Sequence, residues 1–476
     1  MAVQPEIGSV SAPLTMRGLD RFFTLASSEA YPSRLSTSVN ANWTFHKYED
    51  WSTVTVSGES NQKLDMVYAY YECGSESADA KNGTCIRSTA DWLAAAGLVQ
   101  AQQYQALFEG FALHMWQWYS AVLMWKVSSP WPSLRGALYG NDLEPTGGYW
   151  GARRAIRGWS DALSRGRAEP LHVQLNPDTL GCAVIDRRGR SSWDGLKVTA
   201  EFRDVWGRTV GSAQSRDVNT SSLRTAPSSP RRQATRARDV ANISGIPTSS
   251  GGGGGEVMSC AGEPFEWPLP PSSSPGATLL VYLSLRGSTK QGSTATDLLS
   301  TNFYWLSSSS SAATLPSPYQ FTSNYSELGS LRQKHPWVDL SMNGSFSSHA
   351  MGSDNSPRIA EAAVAITATV TVTHPGAPTS SNEGDVPVAF WVTLTLLRSG
   401  DDVVEEGERG SGIVDERILP SFWDENCFPL LPGESRTVQV TARVAMSQAK
   451  PLRAVDVEVS GWNVVRRITQ LPTDGG

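Results

Sequence analysis

The sequence is short of the residues on which many catalytic chemistries rest. Only six histidines occur in 476 residues, and none lies in a His-Glu-x-x-His helix motif or at His-x-x-x-His spacing. Five cysteines, an odd number spread over a long chain, include no Cys-x-x-Cys pair, which argues against a protein-built zinc site and a disulfide framework. Cys73 and Cys85 are the only close pair, able to staple a loop in an oxidising compartment. There is no Gly-x-Ser-x-Gly elbow, no phosphate loop and no dinucleotide fingerprint. Positive charge is not in excess either. Forty Lys and Arg against 46 Asp and Glu leave a net charge of −6, which disfavours nucleic acid as a partner of the whole chain. No apolar run reaches the ~18 residues of a membrane span. The opening Met-Ala-Val-Gln-Pro-Glu lacks the charged-then-apolar pattern of a signal peptide. Six Asn-x-Ser/Thr sequons, at Asn42, Asn82, Asn219, Asn242, Asn324 and Asn343, favour a secretory route only weakly in so Ser-rich a chain.

What is present divides into parts, and the length suits about three domains. Residues 1–165 carry nine of the 17 tryptophans. Here Tyr104, Leu107, Phe108, Phe111 and Met115 recur at helical spacing, with Ser88 or Thr89 placed to cap the preceding stretch. The run Ala121-Val122-Leu123-Met124-Trp125 suits a strand buried on both faces, as in a parallel sheet or barrel.

From Glu169 onward the period becomes two. Leu196, Val198, Ala200 and Phe202 alternate with polar residues, as do Val364 to Val372, Val438 to Val444 and Val455 to Val459. These read as half-buried antiparallel strands. They fall in two groups, 169–310 and 335–471, each near the ~100-residue size of an immunoglobulin-like sandwich. The Ser-rich stretch Leu306 to Pro318 is expected to be a hinge. Between Gly211 and Gly262 lie Ser/Thr clusters, the arginines Arg224, Arg231, Arg232, Arg236 and Arg238 without interleaved aromatics, and the glycines Gly251 to Gly255. This reads as a solvated insert rather than a nucleic-acid tail, since stacking platforms are missing. Its removal is expected to leave the surrounding domain folded.

The pattern Pro5-Glu6-Ile7-Gly8-Ser9-Val10 says little alone. Read in order with Phe45-His46-Lys47-Tyr48, Tyr104 to Gly110, Met124-Trp125-Lys126, Pro130-Trp131, Leu134-Arg135-Gly136 and Gly148-Tyr149-Trp150-Gly151, it becomes specific. The series continues through Glu169-Pro170-Leu171-His172-Val173-Gln174-Leu175-Asn176, Asn302-Phe303-Tyr304-Trp305-Leu306, Leu431-Pro432-Gly433-Glu434 and Gly461-Trp462-Asn463. Together these motifs resemble the C-terminal portion of family 2 glycoside hydrolases, of the plant endo-β-mannosidase and exo-β-D-glucosaminidase type.

The resemblance implies a mixed fold: the C-terminal part of a (β/α)8 barrel within 1–165, strands seven and eight with their helices, followed by two immunoglobulin-like β-sandwiches. It implies retaining hydrolysis of β-mannosidic bonds in N-glycan-type oligosaccharides, without a cofactor, by two carboxylates about 5 Å apart. Glu6 matches the nucleophile. Trp125 matches a tryptophan forming the floor of the sugar site, and Lys126, His46, Trp131 and Arg135 follow as subsite residues by matching position. Glu109 sits mid-helix and reads as structural. A full barrel needs about 250 residues, so the first six strands and the acid/base carboxylate are expected to lie outside this sequence. The chain is therefore expected to be inactive alone and to need that missing part as a partner. An exo-β-D-glucosaminidase-type fragment and a non-catalytic carbohydrate-binding or interaction module remain open beside this reading.

Overall fold

A computed structural model describes residues 2–7, 14–20, 45–46, 86–114 and 119–157 (less 125, 129 and 134–136). It also describes 171–474, less 178, 187–192, 220–255, 267–276, 289–296, 308–324, 335–336, 352–362, 377–385, 400–415, 446–451 and 453. The described part is mostly β-sheet with few helices. Cys73, Cys85 and the Ser-rich stretch from Ser308 on lie outside it.

The first part contains β1 (Ala2–Ile7), α1 (Met16–Asp20), α2 (Thr89–Leu113), β2 (Tyr119–Met124) and α3 (Gly147–Arg157). β1 and β2 pair in parallel. Ser88 caps α2, its hydroxyl accepting from the Asp91 amide at 3.1 Å. Helices α2 and α3 pack at backbone contact. A Cβ on Gly147 would meet the Gly97 carbonyl oxygen at 2.2 Å, and one on Gly151 the Ala101 carbonyl at 2.1 Å. Only glycine permits that approach. The run expected to be buried on both faces is not: Leu123 is 54% exposed, because among the described residues only β1 flanks this strand.

Seven strands follow: β3 (Leu171–Leu175), β4 (Cys182–Asp186), β5 (Asp194–Arg203), β6 (Gln214–Asp217), β7 (Glu256–Ser259), β8 (Thr278–Ser288) and β9 (Asp297–Ser307). They form sheets in the orders β3-β4-β7 and β6-β5-β8-β9. Val173 and Val184 of one sheet share a core with Val198, Phe202, Leu279 and Val281 of the other. Two strands, β6 and β7, lie inside the ends of the stretch 211–262 read as a solvated insert. Strands of only four residues carry too little periodicity to stand out in low-complexity sequence. The same pairing corrects the cysteine reading. Cys182 and Cys260, 78 residues apart, are disulfide-bonded with Cα atoms 5.6 Å apart, because β4 and β7 are neighbours.

After α4 (Ser326–Lys334) come β10 (Ser341–Met351), β11 (Ala363–Thr373), β12 (Ala389–Arg398), β13 (Ser421–Trp423), β14 (Phe428–Leu430), β15 (Ser435–Ala445), β16 (Val455–Ser460) and β17 (Arg467–Leu471). Their sheets run β10-β11-β15-β13 and β14-β12-β16-β17. Most of β12 is buried. Its residues Phe390 and Trp391 meet Trp305 of β9 with ring centroids 5.4 and 6.1 Å apart. The core of these strands is thereby continuous with α2, through Trp92, Leu98 and Val99.

Candidate functional site

The parallel register of β1 and β2 decides what lies at their ends. Ile7 pairs with Met124, so both strands finish at the same edge. Glu6 immediately precedes Ile7, and the chain leaves Met124 directly into Trp125 and Lys126. In parallel α/β architecture the edge beyond the strands' carboxyl ends is where ligands bind. Glu6 is placed here by its strand; Trp125 and Arg135 lie outside the described residues.

Beyond β2 the chain folds back on itself. The Leu138 amide donates to the carbonyls of Lys126 (3.2 Å) and Val127 (3.1 Å), and the Tyr139 amide to Val127 (2.9 Å). The Ser128 hydroxyl reaches the Gly140 carbonyl at 3.3 Å. These bonds anchor both feet of a loop that carries Trp131 and Pro132. At the loop stands the short Phe45–His46 segment. His46 is buried, its Nδ1 2.9 Å from the Pro132 carbonyl oxygen, and its ring stacks on Trp131 at 6.0 Å. Phe45 meets both rings edge-on, at 5.1 and 5.9 Å. Two candidate residues distant in sequence, His46 and Trp131, are thus in contact, and Lys126, half-buried, holds the loop's base through its carbonyl.

A second layer fixes the segment that follows. Asp142 and Glu144 both pair with the buried Arg417, at 2.7 and 3.0 Å. Thr15 donates to Glu144 at 2.7 Å. Burial pushes the Glu144 carboxyl above its ordinary range, against the pull of the Arg417 charge. The next turn positions α3, whose Arg154 donates to the Cys427 carbonyl and lies over the Trp391 ring at 5.2 Å. None of these ties was visible in the sequence, because Asp142, Glu144 and Arg417 are ordinary charged residues until the fold joins them.

Glu109 belongs to a different cluster, a closed buried one between α2, β3 and β9. Its Oε1 accepts from Asn302 Nδ2 at 2.7 Å and lies 3.3 Å from His172 Nε2. Its Oε2 accepts from the Tyr304 hydroxyl at 2.8 Å. That hydroxyl in turn accepts from the Leu175 amide at 2.9 Å. Burial, and then the Glu109 charge, push the Tyr304 phenol far up, so it stays a donor. A buried carboxylate so surrounded by donors is a joint between elements.

A family model described as the exo-β-D-glucosaminidase Ig-fold domain matches residues 411–464, the stretch that contains Arg417. The mannosylglycoprotein endo-β-mannosidase of Lilium longiflorum is 30% identical over 194 residues, 38% of this chain and 16% of that protein. The exo-β-D-glucosaminidase of Amycolatopsis orientalis is 24% identical over 358 residues, 75% of this chain and 26% of that protein. The chain thus spans under a third of the length of these relatives. Among solved structures, the exo-chitosanase CsxA of Amycolatopsis orientalis superposes with a TM-score of 0.56 at 18% identity, covering 98% of this chain and 42% of that one. Its complex with PNP-β-D-glucosamine gives 0.54, also at 18% identity. At that identity the likeness is one of fold.

Proposed function

From a chain that matches the C-terminal portion of family 2 glycoside hydrolases, we propose one half of a retaining β-glycosidase site, with Glu6 as nucleophile. One observation supports the reading: the parallel register ends β1 and β2 together, with Ile7, the neighbour of Glu6, opposite Met124. On this reading β1, β2 and the helices beside them are the closing portion of a (β/α)8 barrel within residues 1–165. The groups 169–310 and 335–471 are its two sandwich domains. The substrate is an oligosaccharide with a β-mannosidic bond of the N-glycan type. Glu6 attacks the anomeric carbon and forms a glycosyl-enzyme ester. A second carboxylate, supplied from outside these 476 residues, protonates the departing oxygen and then activates water. Trp125 offers an aromatic face to the apolar side of the pyranose, with Lys126, His46, Trp131 and Arg135 around it.

A β-glucosaminide substrate is the second reading, favoured by the Ig-fold match at 411–464 and by the long alignments to exo-β-D-glucosaminidases. Aryl β-mannoside and aryl β-glucosaminide assays separate the two. The chain alone is expected to turn over neither, since proton transfer contributes about 10²–10⁴-fold and orientation more. Fusion of the preceding barrel segment of the lily enzyme before Met1 is expected to give β-mannosidase activity, which Glu6→Gln abolishes without loss of fold. Undiminished activity in the fused Glu6→Gln protein removes Glu6 from the mechanism. Turnover by the unfused chain removes the need for a second segment.

A further inference from the structure

Of the six Asn-x-Ser/Thr sequons, Asn343-Gly344-Ser345 is the one that lies wholly among the described residues, within β10. Side chains alternate along a strand, so Asn343 and Ser345 share one face and Phe346 takes the other. Phe346 is buried in the core, and Asn343 is exposed. The strand is held in place, paired with β11 from Ser341 opposite Thr373 to Met351 opposite Ala363. It lies so close to β11 that a Cβ on Gly344 would meet the Thr369 carbonyl oxygen at 2.2 Å. The neighbouring outward side chains are short hydroxyls that bond one another, Thr371 to Thr437 and Thr373 to Ser435, both at 2.8 Å. A large group on the Asn343 amide therefore extends into solvent without displacing a core side chain. The cysteines supply a second, independent observation. Cys182 and Cys260 are disulfide-bonded, and structural disulfides persist in secretory and extracellular compartments but are rare in the reducing cytosol. The one free cysteine among the described residues, Cys427, is buried, which closes it to thiol exchange. The compartment that keeps such a disulfide is also the one in which Asn-x-Ser/Thr is read as an acceptor.

We infer that Asn343 is a site of N-linked glycosylation, with an oligosaccharide received from a lipid-linked sugar diphosphate. A bond forms between Asn343 Nδ2 and the anomeric carbon of the first sugar as the bond from that carbon to the phosphate oxygen breaks. The lipid diphosphate leaves, and Nδ2 gives up one proton. The inference stands apart from the glycosidase reading, since it concerns the outer face of β10 and not the ends of β1 and β2.

The test starts from the protein isolated from the cells that make it, digested with trypsin without reduction. The tryptic peptide 335–358 contains Asn343 and no other sequon. Treated with a peptide-N-glycosidase in water enriched in heavy oxygen, most of it is expected to carry the heavy label at residue 343, and the untreated digest none. Recovery of the peptide only in its bare form overturns the site, whether or not the Cys182–Cys260 bond is found. Conversion of Asn343 to the same extent in treated and untreated digests is spontaneous deamidation of the Asn-Gly pair, and it too overturns the site. A second measurement uses the full chain secreted from insect cells. Asn343→Gln and Ser345→Ala should each lower the intact mass by one glycan, and Ser345→Thr should keep it, with circular dichroism checking the fold of each variant. Equal glycan mass in the parent and in Ser345→Ala contradicts the assignment.

Discussion

Tyr304→Phe removes one oxygen from the joint between α2, β3 and β9 and leaves the ring in place, so no cavity opens. The consequences follow from the bonds that end there. Glu109 Oε2 loses its donor at 2.8 Å, and the Leu175 amide loses its acceptor at 2.9 Å. Both groups remain buried. A hydrogen bond to a charged group is worth about 1.5–3 kcal/mol and an orphaned buried amide costs about 1–3, so the variant is expected to lose roughly 3–5 kcal/mol. Against a typical stability of about 5–15 kcal/mol that is a large fraction. Urea unfolding followed by both tryptophan emission and far-UV circular dichroism measures it. A companion variant sharpens the attribution. Glu109→Gln removes the charge that needs the phenol, so the pair Glu109→Gln/Tyr304→Phe should cost less than the sum of the single changes. A loss below about 1 kcal/mol for Tyr304→Phe, or strict additivity in the pair, would refute the view that this cluster joins helix to sheet.

Asp91 is buried at the start of α2 against Arg332 of α4. Burial raises its pKa, but the Arg332 charge and hydrogen bond, with the Arg87 amide and Ser88, outweigh it and hold the carboxyl low. The folded value lies below the unfolded one, so this contribution is present above the ordinary carboxylate range and is lost as pH falls through the depressed value. Arg332→Leu leaves Asp91 buried and unpaired, a change worth about 3–5 kcal/mol. It should move the acid-unfolding midpoint to higher pH; an unchanged midpoint contradicts the pairing. Replacing 220–255 by a short Gly-Ser linker should keep the thermal midpoint within a few degrees, since each doubling of loop length costs only about 0.6 kcal/mol. Cys260→Ser, by contrast, reopens a 78-residue loop and should cost roughly 4.5 kcal/mol in the chain-entropy account. Equal melting of Cys260→Ser and parent protein sinks that estimate.

The strands were legible because alternation is a local property. Leu196, Val198, Ala200 and Phe202 are all buried in β5 while Lys197, Thr199 and Glu201 face outward. The series in β11 and β15 follows the same rule with paired registers, whereas in β16 Glu458 is buried along with Val457 and Val459. The helix was legible in kind but not in orientation. The apolar spacing finds Tyr104, Leu107, Phe108 and Phe111 within α2, yet the buried positions include Gln105 and Glu109, whereas Leu107 and Phe108 are only half-buried. A polar face can be the inner one only when its partners arrive from elsewhere in the chain. Here they arrive from His172, Asn302 and Tyr304, 63 to 195 residues away. The disulfide escaped for the same reason, since proximity in sequence was the wrong guide to proximity in the sheet.

The site shows the same division with a functional consequence. That Ile7, next to Glu6, ends a strand is a local matter, but that it ends beside Met124 is a matter of register, which no spacing within either motif encodes. The anchoring of the segment beyond the loop after β2 depends on residues more distant still. Asp142 and Glu144 are held by Arg417, and α1 joins the same assembly through Thr15 to Glu144 and Arg17 to Glu416. Arg417 lies within 411–464, the stretch matched by the Ig-fold family. A residue remote in sequence thus clamps the segment after the loop through a buried ion pair, whose loss would leave two carboxylates uncompensated. This gives the C-terminal strands a physical role beyond their own core: they hold 140–146 in place, and with it the base of the loop that presents Trp131.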